Sequence, residues 1–146
     1  VGLSYEGQPG ALNESIADAL ATAIENRNWL IGEDVVVPDG SYIALRDLSA
    51  PAYYGQAAHM SQYQANANNY YNAGIPSYAF YQFATAIGSR VDAAKVWYLA
   101  MRAYMTPTTD FAGVRTATLL ACKDLYGEGS QQYSDLQAAW TSVGVN

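Results

Sequence analysis

The sequence predicts a mainly α fold: five helices in a bundle-like lobe, with a long irregular segment between the first and second helices. Three observations predict it. Apolar residues recur at helical spacing in segments bounded by proline, glycine or capping residues, the last three helices are joined by short connections, and residues 26–54 are polar and rich in turn formers. The 146 residues are 51% hydrophobic and only 14% charged, enough apolar material for a single domain spanning 1–146 with a real core.

The elements follow in chain order. Pro9-Gly10 marks the start of a first helix, in which Leu12, Ile16, Leu20 and Ile24 are spaced by four residues. Beyond Asn26 the chain turns polar, with Val35-Val36-Val37 read as a short strand and Pro38-Asp39-Gly40 as a turn. Gln62 to Asn72 lacks periodicity and reads as loop. Pro76 fits the first turn of a second helix that reaches Ile87 and ends at Gly88-Ser89. A third, Asp92 to Met105, carries Val96, Trp97 and Ala100 inward and stops at Thr106-Pro107, because proline cannot continue the hydrogen-bond ladder. Asp110 caps a fourth over Phe111 to Tyr126, with Gly127 as a left-handed end. Ser130 caps the last, in which Leu136, Ala139 and Trp140 share a face and Gly144 ends the run. Short links between these last helices predict antiparallel neighbours.

Charge narrows the function classes. The net charge of −6 is carried entirely by residues 1–50, where eight acids face Arg27 and Arg46. Seven basic against 13 acidic side chains disfavour nucleic-acid binding through a basic face, because phosphate contacts need clustered Lys and Arg. No apolar run is long enough for a membrane span, the mean hydropathy is −0.09, and no basic, apolar leader pattern opens the chain. Cys122, alone in the apolar run 117–122, is expected to be a buried structural thiol. The acidic first third is where a cation would be sought.

Glu14 and Asp18 lie four apart, so their carboxylates project from one helix face. Spacing alone leaves two readings: a solvated face near a helix N-terminus, where negative charge is favoured, or a metal ligand with a carboxylate that orients a second ligand. Seven of the 13 tyrosines (Tyr53, Tyr54, Tyr63, Tyr70, Tyr71, Tyr78, Tyr81) fall between positions 53 and 81, as aromatic core and rim or as an exposed amphipathic binding patch. Asn13-Glu14-Ser15 is formally a glycosylation sequon, placed where a packed helix argues against its use.

Gly2-Leu3-Ser4-Tyr5 followed by Gly10-Ala11-Leu12-Asn13-Glu14-Ser15-Ile16-Ala17-Asp18 resembles the segment after the zinc-binding helix of thermolysin-family metalloproteases. Further agreements come in the same order: Trp29-x-Ile31-Gly32-Glu33-Asp34, Leu45-Arg46, Pro51-x-x-Tyr54-Gly55, Asn72-Ala73-Gly74-Ile75-Pro76, Tyr104-Met105-Thr106-Pro107-Thr108, Asp124-Leu125-Tyr126-Gly127 and Ser142-Val143-Gly144-Val145. The resemblance covers essentially the whole chain and implies the C-terminal helical lobe of that family. It implies that Glu14 is the glutamate zinc ligand and Asp18 the carboxylate that hydrogen-bonds a zinc-ligating histidine. Arg46 would hold a substrate carbonyl and brace the first of the two carboxylates, where the residues alone suggest an ordinary ion pair with a neighbouring acid. Ile31, Gly32 and Leu45 would wall the primed-side specificity pocket. Glu25, Glu33 and Asp34 fall at or beside calcium ligands, while Asn28 and Leu30 stand where some relatives carry further acids, against a double calcium site.

Two departures shape the functional expectation. The chain has no H-E-x-x-H, and Glu14 with the lone His59 cannot supply the three protein ligands of a catalytic zinc; His59 is expected to be structural. Tyr70 stands at the position of the family's oxyanion-binding histidine, and Ala65 at the aspartate that orients it. The resemblance therefore implies a zinc metalloendopeptidase lobe that is inactive alone and whose partners are a peptide substrate or a missing N-terminal, zinc-histidine lobe. The alternative is a pseudoprotease that binds peptides or proteins. Zinc in a complete parent, calcium here, and secretion are further expectations of the resemblance.

Overall fold

The computed structural model describes residues 1–36 and 42–146. Five helices carry the fold: α1 (Gly7–Glu25), α2 (Asn69–Ile87), α3 (Arg90–Ala103), α4 (Phe111–Tyr126) and α5 (Gln131–Ser142). Between α1 and α2 lie two short strands, β1 (Leu30–Ile31) and β2 (Arg46–Asp47), and two 3₁₀ turns, Pro51–Tyr54 and Met60–Gln62. The expected architecture is therefore present, with the irregular segment where the sequence placed it.

Several boundaries move for identifiable reasons. α1 begins three residues before Gly10, because Pro9 sits in the first turn, where its missing N–H has no intrahelical partner to lose. Its apolar stripe also ends early. Leu12 and Ile16 are buried while Ile24 is 85% exposed, since a strict four-residue step drifts about 40° round the helix each time. Val35 lies in a turn rather than a strand, and the ladder uses Leu30–Ile31 instead; Val37 and Pro38-Asp39-Gly40 lie outside the described residues.

The largest correction is α2, which starts at Asn69 and holds Pro76 in its interior. Asn68 caps it through Tyr71 N (2.8 Å), and the buried Asn72 side chain pins its first turns to the Gln64 backbone with two bonds, Gln64 N to Oδ1 (3.1 Å) and Nδ2 to Gln64 O (2.7 Å). These are tertiary ties that periodicity does not carry. The N-caps expected for α4 and α5 are formed, by Asp110 on Gly113 N (2.7 Å) and Ser130 on Tyr133 N (3.2 Å). Ser89, which ends α2, also caps α3, moving its start to Arg90. Gly127 has the expected positive φ, +88°, but ψ of 150° puts it outside the left-handed helical region.

The core gathers where α2, α3 and α5 meet. Trp97 stacks on Trp140 at 5.7 Å between ring centroids and takes the edge of Phe80 at 5.1 Å. Each such fully buried side chain contributes about 1.5–3 kcal/mol by removal from water. Trp140 Nε1 donates to the buried Thr118 Oγ1 at 2.9 Å, which satisfies the one polar atom the ring brings inside.

α1 packs most extensively on α2, and small residues let them approach. Ser77 Oγ donates to Ser15 Oγ at 2.9 Å between them. A Cβ on Gly10 would fall 2.6 Å from Asn69 Nδ2, and one on Gly74 would fall 2.2 Å from the Ala57 carbonyl oxygen. The Gly74 contact seats α2 against the 51–57 segment, beside Arg46. Gly74→Ala is expected to destabilise the fold by about 1–3 kcal/mol, because a backbone oxygen cannot swing aside as a side chain would; an unchanged denaturation midpoint would contradict this contact.

Candidate functional site

The site forms where the N-terminal half of α1, the β ladder and the first turn of α2 converge. On α1, Glu14 is partly exposed and Asp18 is buried, one turn apart on the same face. The ladder pairs Leu30 with Asp47 and Ile31 with Arg46, and this register delivers the Arg46 side chain to α1. There it forms a two-pronged bond with Asp18: Nε to Oδ2 at 2.6 Å and Nη2 to Oδ1 at 2.9 Å, with side-chain exposures of 19% and 9%. The Arg46 brace thus falls on the second carboxylate of the pair rather than on Glu14. The pairing, with Asp18 as first cause, raises the guanidinium pKa above its ordinary value.

Tyr70, in the first turn of α2, lies with its ring 4.9 Å from the Arg46 Cζ, so the guanidinium is held between a carboxylate and an aromatic face. Gln56 Nε2 donates to the Tyr70 carbonyl at 2.7 Å and fixes that turn. Tyr70 is 43% exposed. Leu45, Arg46, Tyr54, Gly55, Gln56, Asn68, Tyr70 and Tyr71 line a recess of about 250 Å³ at this point.

A further tyrosine completes the arrangement. Tyr5 donates its hydroxyl to Glu14 Oε1 at 2.5 Å, while Asn69 Nδ2 donates to the Tyr5 carbonyl at 3.0 Å and ties the N-terminal segment to α2. The Glu14 hydrogen bond first, then burial and the charge on Glu14, push the Tyr5 phenol up to about 12. Sequence reasoning gave Tyr5 no role. It precedes Glu14 by nine residues across a helix start, where no spacing rule connects two side chains, although Gly2-Leu3-Ser4-Tyr5 was part of the resemblance.

Ile31, Gly32 and Leu45 come together as expected. Leu45 N donates to Ile31 O at 2.8 Å, and Gly32, at φ +80°, lies under the Leu45 side chain, where a Cβ would fall 2.7 Å from Cδ1. Other singled-out residues lie elsewhere. His59 caps the 3₁₀ turn at Met60–Gln62, its Nδ1 accepting from Ser61 N at 3.1 Å, and packs against Gly144. Cys122 is fully buried, and burial raises its thiol to about 11, which leaves it inert. The tyrosines divide between the two readings: Tyr63 meets Phe111 edge-on and Tyr78 stacks on Tyr81, whereas Tyr53 and Tyr70 are exposed.

The implied metals can be tested against the donors present. Among the described residues no group of three or more His, Cys, Asp or Glu side chains is placed to hold a metal ion. For zinc, Glu14 offers one donor among the described residues, and His59 Nδ1 is engaged by its own turn. For calcium, Glu33 and Asp34 are both engaged by Arg27, at 2.5 and 3.2 Å. The Asn28 side chain, first, and then its own backbone N–H and Arg27 hold Glu33 below the usual carboxylate range. A depressed carboxylate stabilises the fold above its unfolded value and ceases to do so as pH falls through the lowered one.

With this geometry in place, comparison with known proteins is specific. Residues 1–145 match the profile of the thermolysin metallopeptidase α-helical domain, and the chain belongs to that family. Its relatives include bacillolysin of Brevibacillus brevis, 40% identical over 99% of this chain, and a zinc metalloproteinase of Listeria monocytogenes, 39% identical over 99%. A bacillolysin of Bacillus amyloliquefaciens is 39% identical over 98%. The chain spans 28–30% of the length of these relatives. It is the C-terminal helical domain of thermolysin-like metalloproteases, and no helix among the described residues is long and apolar enough to cross a membrane.

The Tyr5 geometry gives a direct check. In an alkaline titration followed by near-ultraviolet absorbance, the Tyr5 phenol is expected to ionise near pH 12 instead of about 10, within a late phase that Tyr54, Tyr104 and Tyr126 share, and Tyr5→Phe to reduce that phase by one phenol. Glu14→Gln should return the Tyr5 phenol to the ordinary range. Identical alkaline profiles for the three proteins would contradict the contact.

Proposed function

We propose that this chain is the C-terminal helical lobe of a secreted zinc metalloendopeptidase, that it contributes one metal ligand, its supporting brace and the donors facing the substrate, and that it does not hydrolyse peptides alone. The observation that carries this reading is that Glu14 stands as a lone metal-type donor inside an otherwise assembled frame of Tyr5, Asp18, Arg46 and Tyr70. When bound with ligands from a preceding lobe, zinc would supply Lewis acidity toward the scissile carbonyl and a nucleophilic water. The histidine ligands and the base that takes the proton from that water would come from the preceding lobe, while this chain's own side chains bind, orient and donate.

Asp18 fixes Arg46, and through the helix face it shares with Glu14 it stands ready to orient a histidine ligand from the missing lobe. Arg46, with two nitrogens on Asp18, keeps its remaining N–H donors for a peptide carbonyl in the adjoining recess. Tyr70 replaces the family histidine, and its phenol can donate to the carbonyl oxygen as negative charge develops there. One such donor is worth roughly 3–4 kcal/mol of transition-state stabilisation. Tyr5, already donating to Glu14, supports the orientation of that carboxylate. Ile31, Gly32 and Leu45 form an apolar wall beside Arg46 suited to a side chain on the primed side of the cleaved bond. Secretion is supported by relatives, one of them named an extracellular elastase of Staphylococcus epidermidis.

A second reading is a pseudoprotease that binds a peptide or protein without cleaving it. It is favoured by the joint replacement at Ala65 and Tyr70, which removes both the histidine and its orienting aspartate, and by the exposed Tyr53 and Tyr70.

Zinc content and casein turnover decide between the two. The 146-residue chain is expected to retain no stoichiometric zinc after dialysis and to show no turnover. One tightly bound zinc with turnover by this chain alone would overturn the proposal. In the longest natural form, zinc with turnover supports the protease, and a metal-free, inert protein supports the binding module.

A further inference from the structure

The turn that follows β1 carries two adjacent acids, Glu33 and Asp34, at or beside positions where the family resemblance implies calcium. Two neighbouring carboxylates on one turn repel each other unless a cation lies between them. Here the loop makes its own. Arg27 places a single guanidinium nitrogen, Nη2, against both carboxylates, at 2.5 Å from Glu33 Oε1 and 3.2 Å from Asp34 Oδ2. Asn28 closes the same span from the adjacent position: its Nδ2 donates to Glu33 Oε1 at 2.8 Å and its Oδ1 accepts from Leu30 N at 2.9 Å. The segment between α1 and β1 is thereby fastened to the turn after β1 at Gly32, whose carbonyl accepts from Val35 N and Val36 N, both at 3.2 Å.

We infer that the Arg27 guanidinium takes the place of a divalent cation in this loop, so that the chain holds its acidic turn in a calcium-independent way. The donor chemistry supports exclusion as well as substitution. Calcium takes six to eight oxygen ligands at about 2.3–2.6 Å. Glu33 Oε1 and Asp34 Oδ2 are occupied by N–H donors, a fixed positive charge lies against both, and Asn28 presents its amide nitrogen, not an oxygen, to Glu33. Glu25 is not part of any metal-holding group among the described residues. The Glu33 side chain is only 16% exposed, so the clamp is anchored on a carboxylate largely withdrawn from water, whereas the Asp34 arm, 75% exposed, adds little.

The test is a set of thermal unfolding curves on the 146-residue chain and on Arg27→Gln, each in EDTA and in ~5 mM calcium chloride, above the roughly millimolar weakest class of calcium modules. The wild-type Tm is expected to be the same in both media. Arg27→Gln is expected to lower the Tm in EDTA by about 2–4 °C, the shift that roughly 1 kcal/mol produces in a domain of this size, and to speed amide exchange at Val35 and Val36. Calcium is then expected to restore part of that loss, because the substitution leaves Glu33 and Asp34 with no cation. A wild-type Tm raised by calcium overturns the inference. So does an Arg27→Gln protein whose Tm and amide exchange match the wild type, or one that calcium leaves unchanged. Should Arg27→Gln not accumulate folded, the wild-type comparison and Arg27→Lys, which keeps the charge and must hold a calcium-insensitive Tm, still decide it.

Discussion

The two-pronged bond between Arg46 and Asp18 is the constraint on which the site depends. Taking a carboxylate and a guanidinium out of water costs several kcal/mol per ion, and only close, forked geometry offsets it. Distances of 2.6 and 2.9 Å provide that geometry, and the Tyr70 ring covers the guanidinium on another side. Three elements far apart in sequence are joined at this one point. If Arg46 were withdrawn, Asp18 would remain as an uncompensated buried charge, β2 would lose its tie to α1, and the recess would lose its floor. Glu14, one turn away, would lose the neighbour that sets its surroundings.

Around that bond, the chain shows a division of labour between building a frame and completing it. Four of the eight acids in the first third are engaged by the chain's own cations and phenols: Asp18 by Arg46, Glu14 by Tyr5, Glu33 and Asp34 by Arg27. The net charge of −6 thus describes a surface left acidic after internal pairing, not a cation cluster. Glu14 keeps part of its surface exposed, as the proposed ligand role requires.

How legible this was in the sequence depended on the range of the interaction involved. Caps at Asp110 and Ser130 and the i,i+4 pair Glu14 and Asp18 are local, and the sequence reading located them. The start of α2 was misplaced by seven residues because Pro76 was taken as a helix beginning, while the true beginning is fixed by Asn72 reaching back to Gln64, a tertiary contact. The same holds for Tyr5 and Arg27. One meets Glu14 only because the N-terminal segment is tied to Asn69, and the other meets its acids only because the loop closes on Gly32. Family resemblance, by contrast, singled out Ile31, Gly32 and Leu45, which lie together, and brought Arg46 and Tyr70 into view, neither of which periodicity could relate to α1.

The account rests on Asp18 and Arg46 acting as one buried unit, and a double-mutant cycle measures that directly. Unfolding free energies of the wild type, Asp18→Asn, Arg46→Met and the double variant give the coupling energy, independent of what each substitution does alone. Exposed ion pairs give about 0.2–1 kcal/mol. A coupling near 2 kcal/mol, with the double variant more stable than the sum of the two single losses predicts, is the expected result. A coupling within error of zero would mean that the two side chains are neighbours without being a clamp, and the account of the site would fail with it.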